Sequence, residues 1–365
     1  MIALNLFPSR TVALYMAKAF VVRTLAILAT LVLILQMMDL LSETGHILAY
    51  HGNGQAEELR YVGLRAPQII ATFTPFAVLL GTILTLSTMN QNSEIVALKA
   101  AGLSAHQLLA PLIVASLGIA VLSFAFNDRI VSRATATLSV WKAGGYAPLP
   151  VDRGDRSNVW VRDGDDLIQV AQVSGRGNAA QLTDITLYDR QDGHMVSVVR
   201  APHGVRAGDG WRIGPATRFD VAGGRLTSLG TIIIGRGVRP DQLTLASIDA
   251  DALSFGELNR AIGDLSDAGR PTKALSGSMW HKLSSPLSAV LMPLLGAISA
   301  FGLARSGKLF LRAVLGMFLG FAYFVGDSFA LAMGNLGAYP PFLAAWAPFL
   351  LFLLIGEAVL VRTEE

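Results

Sequence analysis

The stretch Gly302-Leu303-Ala304-Arg305-Ser306-Gly307-Lys308 fits the first seven positions of a phosphate-binding loop. Such a loop cradles phosphates with backbone N–H groups and a lysine, and holds Mg²⁺ through Ser or Thr at its eighth position. Here the eighth residue is Leu309. The stretch also joins two apolar blocks instead of linking a strand to a helix, so it reads as a short basic turn. Any ATP used by this protein is hydrolysed by another chain. The six histidines, His46, His51, His106, His194, His203 and His281, have no metal-ligand spacing, and no G-x-S-x-G elbow occurs. Cysteine is absent, which excludes thiolate metal sites and a disulfide framework. No catalytic residue, metal or cofactor is therefore expected, and the chain reads as a non-enzyme.

Ionisable residues in or near apolar spans are candidates for function by default. Asp39, Arg60, Arg65 and Asp327 fall near span ends or within a span. An amphiphile with an anionic head would want the cations; ordinary pairing of the carboxylates with Arg60 or Arg65 would fix helix packing instead. Gly316 and Gly320 form a G-x-x-x-G, which permits close helix contact within the chain or between subunits.

The loop Asn90-Gln91-Asn92-Ser93-Glu94-Ile95-Val96-Ala97-Leu98-Lys99-Ala100-Ala101-Gly102-Leu103 carries a different signal. Asn92 or Ser93 can cap a short helix, Glu94 suits its first turn, and Gly102 can stop it. Ile95, Val96, Leu98 and Leu103 are too apolar for a solvated turn. The helix either docks into a groove on a partner or lies on lipid headgroups.

These residues need a membrane scaffold. Of 365 residues, 52% are hydrophobic and only 15% charged, against about 25% charged in soluble domains. The net charge of +3 is spread out, with no basic run, so nucleic-acid binding is not expected. A helix needs about 20 apolar residues to cross a ~30 Å core. Stretches 12–38, 66–89, 108–126, 283–303, 309–333 and 341–361 qualify, giving six spans as three plus three. Arg10, Lys18 and Arg23 interleave with apolar residues, unlike a cleavable signal peptide. Arg10, Lys18, Lys99, Arg305, Lys308, Arg312 and Arg362 then mark the inner side, which places both termini in the cytoplasm and the long middle segment outside.

That segment alternates with a period of two. In 184–188, Ile185 and Leu187 alternate with Asp184, Thr186 and Tyr188; 158–162, 167–173, 195–200, 217–221 and 226–234 read likewise. Gly and Asp clusters such as Arg153-Gly154-Asp155 separate the runs, which indicates a β-sandwich or jellyroll. Ser254, with Glu257 three residues on, has capping-box spacing and opens a helix over 254–268. The expected domains are 1–126, 127–270 (β-jellyroll-like with a connecting helix) and 271–365.

In this order the pieces resemble the LptF/LptG permeases of the lipopolysaccharide export transporter. The residues that carry the resemblance are Ser93-Glu94-Ile95-Val96-Ala97-Leu98-Lys99-Ala100-Ala101-Gly102, Val159-Trp160-Val161-Arg162-Asp163-Gly164, Asp249-Ala250-Asp251-Ala252-Leu253-Ser254 with Leu258, Met279-Trp280-His281-Lys282 with Pro286-Leu287-Ser288, and Phe321-Ala322-Tyr323-Phe324-Val325-Gly326-Asp327. The exit and span-four pieces are closer to LptG than to LptF. The resemblance implies an inner-membrane permease subunit that pairs with an LptF-like permease and binds an LptB-like ATPase dimer. It would extract lipopolysaccharide and pass it to LptC-like and LptA-like periplasmic proteins. It assigns the ATPase contact to Ser93, Glu94, Ile95, Leu98 and Gly102. Asp39 and Asp327 carry over as positions near the cavity mouth.

One departure stands out. The family leads one to expect basic residues at the outer end of span one, where this chain reads Gln36-Met37-Met38-Asp39-Leu40-Leu41-Ser42-Glu43. Arg60, Arg65, Arg129 or Arg133 takes that role, or the partner supplies the charge, or the lipid is less phosphorylated. The substrate-binding candidates are thus Asp39, Arg60, Arg65, Arg133 and Asp327. Alternatives are the sister LptF subunit, a permease for another lipid, or an envelope scaffold without transport.

Overall fold

The computed structural model describes residues 8–148, 156–174, 180–191, 194–221, 223–238, 249–267, 271–301 and 309–364. The phosphate-loop-like stretch 302–308, the cluster 153–155 and the end of the connecting helix at 268 lie outside them. The described helices are α1 Arg10–Ala49, α2 Gln55–Gln91, α3 Glu94–Ala100, α4 Ala105–Phe126, α5 Ser132–Ala143, α6 Phe255–Asp267, α7 Lys273–Phe301, α8 Leu309–Asn335 and α9 Pro341–Glu364. The strands are β1 Arg156–Asp163, β2 Asp166–Ser174, β3 Gln181–Gln191, β4 His194–Ala207, β5 Gly210–Asp220 and β6 Arg225–Ile234. They divide into two compact units, Met1–Ala147 with Asp249–Glu365, and Pro148–Ile248.

The first unit is a helical bundle in which, among the described residues, five helices are long and apolar enough to cross a membrane. The apolar stretch 283–303 falls on α7, which is not among the five and carries His281, Lys282, Ser284, Ser285 and Ser288. α7 is nonetheless central. It packs against α2, α4, α8 and α9, and Ala289, Leu291, Leu295 and Ala297 are fully buried in the main core. Close approach depends on glycine: a methyl at Gly320 of α8 would collide with Leu79 of α2. With Gly316 also buried, the G-x-x-x-G serves packing inside this chain.

α1, α2 and the combined α4–α5 helix run 40, 37 and 39 residues. At 1.5 Å per residue each is ~55–60 Å long, nearly twice the hydrocarbon core. The third helix does not stop at residue 126. It continues through a π-helical turn, Asn127–Val131, into α5. That turn places Asp128 where its carboxylate accepts the Phe255 N–H at 2.6 Å and caps α6. The box at Ser254 forms as its spacing predicts: Glu257 N–H donates to Ser254 Oγ at 3.3 Å, and Ser254 N–H donates to Glu257 Oε2 at 3.0 Å.

The second unit is one six-stranded antiparallel sheet in the order β1-β2-β3-β4-β5-β6. Among the described residues every strand pairs with its sequence neighbour, so the sheet is an open meander with β1 and β6 at its edges. Its alternation breaks at one level across four strands. Val170 and Val173, Leu182 and Ile185, Ala201 and Gly204, and Ile213 and Ala216 are buried pairs three apart instead of two. They align through Val170↔Ile185, Val173↔Leu182 and Gly204↔Ile213. In β3 the break contains Asp184, at φ 50°. At the same level the β5–β6 register shifts around Ala216, and such an irregularity bends and curls the sheet. The curl explains how a single sheet buries Trp211, Ile213, Val170 and Leu182 to 2% exposure or less in one apolar cluster. After β6 the chain turns over this core: Val238 O accepts from Trp211 Nε1 at 3.0 Å and from Arg206 Nη1 at 2.9 Å.

Candidate functional site

α3 is built to be held and to present a face. Ile95 is 4% exposed and belongs to the main helical core, with Leu98 and Leu103 packed on it. The helix ends in a Schellman motif: Leu103 N–H reaches Leu98 O at 3.2 Å, Gly102 N–H reaches Lys99 O at 2.9 Å, and Gly102 takes φ 90°. At its start the capping role is displaced. Ser93 adopts φ 60° and makes no side-chain cap bond. Glu94 instead accepts from Tyr15 Oη of α1 at 3.1 Å and from Asn92 Nδ2 at 3.1 Å. Val96, 60% exposed, lies on the open face, with Ala97 and Ala100 also exposed. The five residues assigned to partner contact therefore divide. Ile95, Leu98 and Gly102 anchor and terminate α3, while Ser93 and Glu94 stand at its rim.

Beyond the opposite end of α2's apolar run, α1, α2 and α5 share a polar network. Asp39 meets Arg65 at 3.2 Å and accepts from Tyr61 Oη at 2.6 Å; Arg65 also donates to Gln68. One turn on, Glu43 meets Lys142 Nζ and Tyr146 Oη, both at 2.6 Å. The halves interlock through Tyr61 and Tyr146, whose rings lie 6.3 Å apart, and through Lys142, 5.4 Å from the Tyr61 ring. Burial first, then the bond to Glu43, pushes the Tyr146 hydroxyl well above the ordinary tyrosine range, so it remains a proton donor. Arg60 is exposed and lies over Trp141 at 5.1 Å. Arg133 is exposed on α5 and helps hold the Glu257 carboxyl below its ordinary range, behind the larger effect of the two Ser254 hydrogen bonds.

Asp327 stands outside this network: its partner is His281 of α7, at 2.8 Å. Of the substrate-binding candidates, the structure joins Asp39 to Arg65 and sets Arg60 against the same aromatic cluster. Sequence reasoning missed Glu43, Lys142, Tyr61, Tyr146 and His281. The i, i+4 spacing of Asp39 and Glu43 was the available signal, because it puts both carboxylates on one face of α1.

A membrane bundle with an inserted antiparallel sheet, and a short anchored helix between its second and third long helices, describes a permease layout. The family model for the lipopolysaccharide export system permease LptF/LptG matches residues 14–362. The chain belongs to that family. It is 25% identical over 356 residues to the lipopolysaccharide export system permease protein LptG of Escherichia coli K12, covering 94% of each chain. To the LptG protein of Haemophilus influenzae it is 23% identical over 315 residues, covering 84% of this chain and 86% of the relative. The permease is thus an ABC-transporter subunit of lipopolysaccharide export, LptG-like, with a periplasmic β-rich insertion. Its family acts as the non-catalytic transmembrane partner of a separate ATPase within the Lpt complex.

Proposed function

We propose that this permease, paired with an LptF-like subunit, draws lipopolysaccharide out of the inner membrane and hands it to LptC-like and LptA-like proteins, powered by an LptB-like ATPase dimer docked on α3. The anchored geometry of α3 carries the reading. A helix that transmits motion must be stiff where it joins the bundle and open where it meets the motor, and α3 has Ile95 buried beneath and Val96 exposed above. Ser93, Glu94, Ile95, Leu98 and Gly102 form this coupling element. In this reading α7 is the sixth span, the halves are 1–126 and 271–365 around an insertion at 127–270, and both termini are cytoplasmic.

On the substrate side, α1 presents Leu33, Met37, Met38 and Leu41 at 65–77% exposure, an apolar face suited to acyl chains or a partner helix. Arg60 and Arg133 supply exposed positive charge for lipid phosphates, Asp39 orients Arg65, and Asp327 lines a neighbouring cavity. The curled sheet, with an apolar interior, acts as the jellyroll-like conduit that shields acyl chains. Withdrawing those chains from the bilayer costs about 25 cal/mol per Å² of apolar area exposed to water, hence the need for ATP.

Purification in mild detergent with identification of every co-purifying chain tests this. The wild-type protein should bring an ATPase and a second permease, and Glu94→Lys should lose the ATPase while keeping the second permease. Absence of any ATPase from the wild-type preparation overturns the reading. Photo-crosslinks from α1 and from the sheet interior should reach lipopolysaccharide; crosslinks to phospholipid alone would overturn the substrate.

A further inference from the structure

Between α2, α7 and α8 lies a cavity of about 170 Å³ that coupling at α3 does not require. Asp327, 9% exposed, lines it, with His281 Nε2 2.8 Å from Asp327 Oδ2. Thr72, Ser285, Ser288 and Ser328 add hydroxyls. The apolar walls include Phe76, Phe324, Tyr323 and Met292, with the Phe76 and Phe324 rings 5.4 Å apart. Phe324 is 40% exposed, so the cavity reaches the surface of the bundle.

A carboxylate in such surroundings must be paired. His281 meets one oxygen, and the other can take a second donor. No lysine or arginine is among the described residues that line the cavity. An anion would face the Asp327 carboxylate with no lysine or arginine beside it. A purely apolar molecule would offer nothing to the second oxygen of the carboxylate or to the hydroxyls that line the cavity. An ammonium group answers both: its hydrogens suit carboxylate and hydroxyl oxygens, and its charge suits aromatic faces. The volume is close to the ~150 Å³ that accommodates one benzene-sized molecule, so the apolar part must be short. We propose that this cavity binds the ammonium group of an amine with a short apolar chain, its charge at Asp327 and its chain between Phe76, Phe324 and Met292. The group can come from a free alkylamine or from an amino-headgroup lipid.

Met292, 3% exposed, is a built-in reporter. The full-length protein, with whatever chains co-purify, is labelled with ¹³C-methyl methionine, placed in phosphatidylglycerol nanodiscs, and assigned at this position through Met292→Leu. Hexylammonium should shift the resonance saturably, about tenfold more tightly than 1-hexanol at equal membrane concentration, while hexanoate should not. Asp327→Asn should erase the preference for amine over alcohol. A shift in phosphatidylethanolamine nanodiscs without added amine identifies a lipid as the source; a shift with hexylammonium alone identifies a free amine. Equal affinity for hexylammonium and hexanol in the wild-type protein, or no shift with either amine source, overturns the proposal. The wild-type comparison does not depend on any variant folding, and none of these outcomes bears on whether an ATPase docks at α3.

Discussion

The two ends of α2 use charge in opposite ways. At one end, beside α3, the Glu94 carboxylate is held by two neutral donors, Tyr15 and Asn92, and the apolar residues of the short helix do the anchoring. At the other, two carboxylates, Asp39 and Glu43, are matched by Arg65 and Lys142 and bridged by tyrosines, so the charged groups themselves join α1, α2 and α5. The physical setting accounts for the difference. A short helix with an exposed outer face can be fixed by burying Ile and Leu on the other, at ~1.5–3 kcal/mol per side chain. Between membrane helices apolar contact gives little net drive, because lipid is equally apolar, and polar contacts and close packing carry the association. One end can therefore offer a face to a partner, while the other spends most of its polar groups on its own helices.

The largest effect that separates the two modes is at Ile95. Ile95→Ala should cost about 3 kcal/mol, the usual loss for a buried Ile truncated to Ala. Thermal unfolding in nanodiscs, followed by tryptophan fluorescence, reads it. Val96→Ala, one residue on and exposed, should stay within about 0.5 kcal/mol. If the two variants lose equal stability, α3 is not anchored as described.

Next is Asp39→Ala, which strands Arg65 and Tyr61. A fully buried pair broken in this way costs about 3–5 kcal/mol. Asp39 and Arg65 side chains keep 23% and 30% of their exposure, so about 2 kcal/mol is expected after discounting for solvent. Asp39→Ala with Glu43→Ala should cost less than the sum of the single variants, because Tyr61, Lys142 and Tyr146 are in mutual contact. Strict additivity would dissolve the network into two independent pairs.

Both modes were unevenly legible in the sequence. The long helices and six strands follow from apolar runs and period-two alternation, and the end of α3 follows from Gly102. The partners of the charged groups did not, because Glu43 and Lys142 are 99 positions apart and only tertiary packing brings them together. Ser93 looked like a cap, but the backbone places it at φ 60° and its neighbour Asn92 takes the contact to Glu94. The sheet's crease was hidden as well: a three-residue spacing between buried positions reads as a lapse in alternation until the strands are aligned. The continuity of α4 into α5 was obscured by Asn127-Asp128-Arg129, polar residues that resemble a helix stop and instead form a π turn.

A smaller effect belongs to Gly102. Its φ of 90° strains any residue with a Cβ, while a methyl there would meet no atom within 4 Å. Gly102→Ala should thus cost about 1–2 kcal/mol from backbone conformation alone. Full loss of ATPase co-purification at unchanged stability would show instead that the glycine is read directly by the partner.

The smallest expected effect contrasts two helix starts. Ser93 forms no capping box, whereas Ser254 and Glu257 form a complete one. Ser254→Ala should cost about 1 kcal/mol, and Ser93→Ala nearly nothing. The box also carries a pH signature. The Ser254 N–H, then its hydroxyl, hold the Glu257 carboxyl below its ordinary range. A carboxylate with a lowered folded-state pKa adds stability that is complete above its unfolded value, about 4.3, and is lost as pH falls through the folded value. The unfolding free-energy difference between wild type and Glu257→Gln should be flat above about pH 5 and shrink below about pH 4. In a Ser254→Ala background, where the N–H remains but the hydroxyl is gone, the same difference should be smaller, should begin to decline at the same pH and should be fully lost at a higher pH. If it instead grew as pH fell, the carboxyl would be favoured in its protonated form, and the box would not be what starts α6.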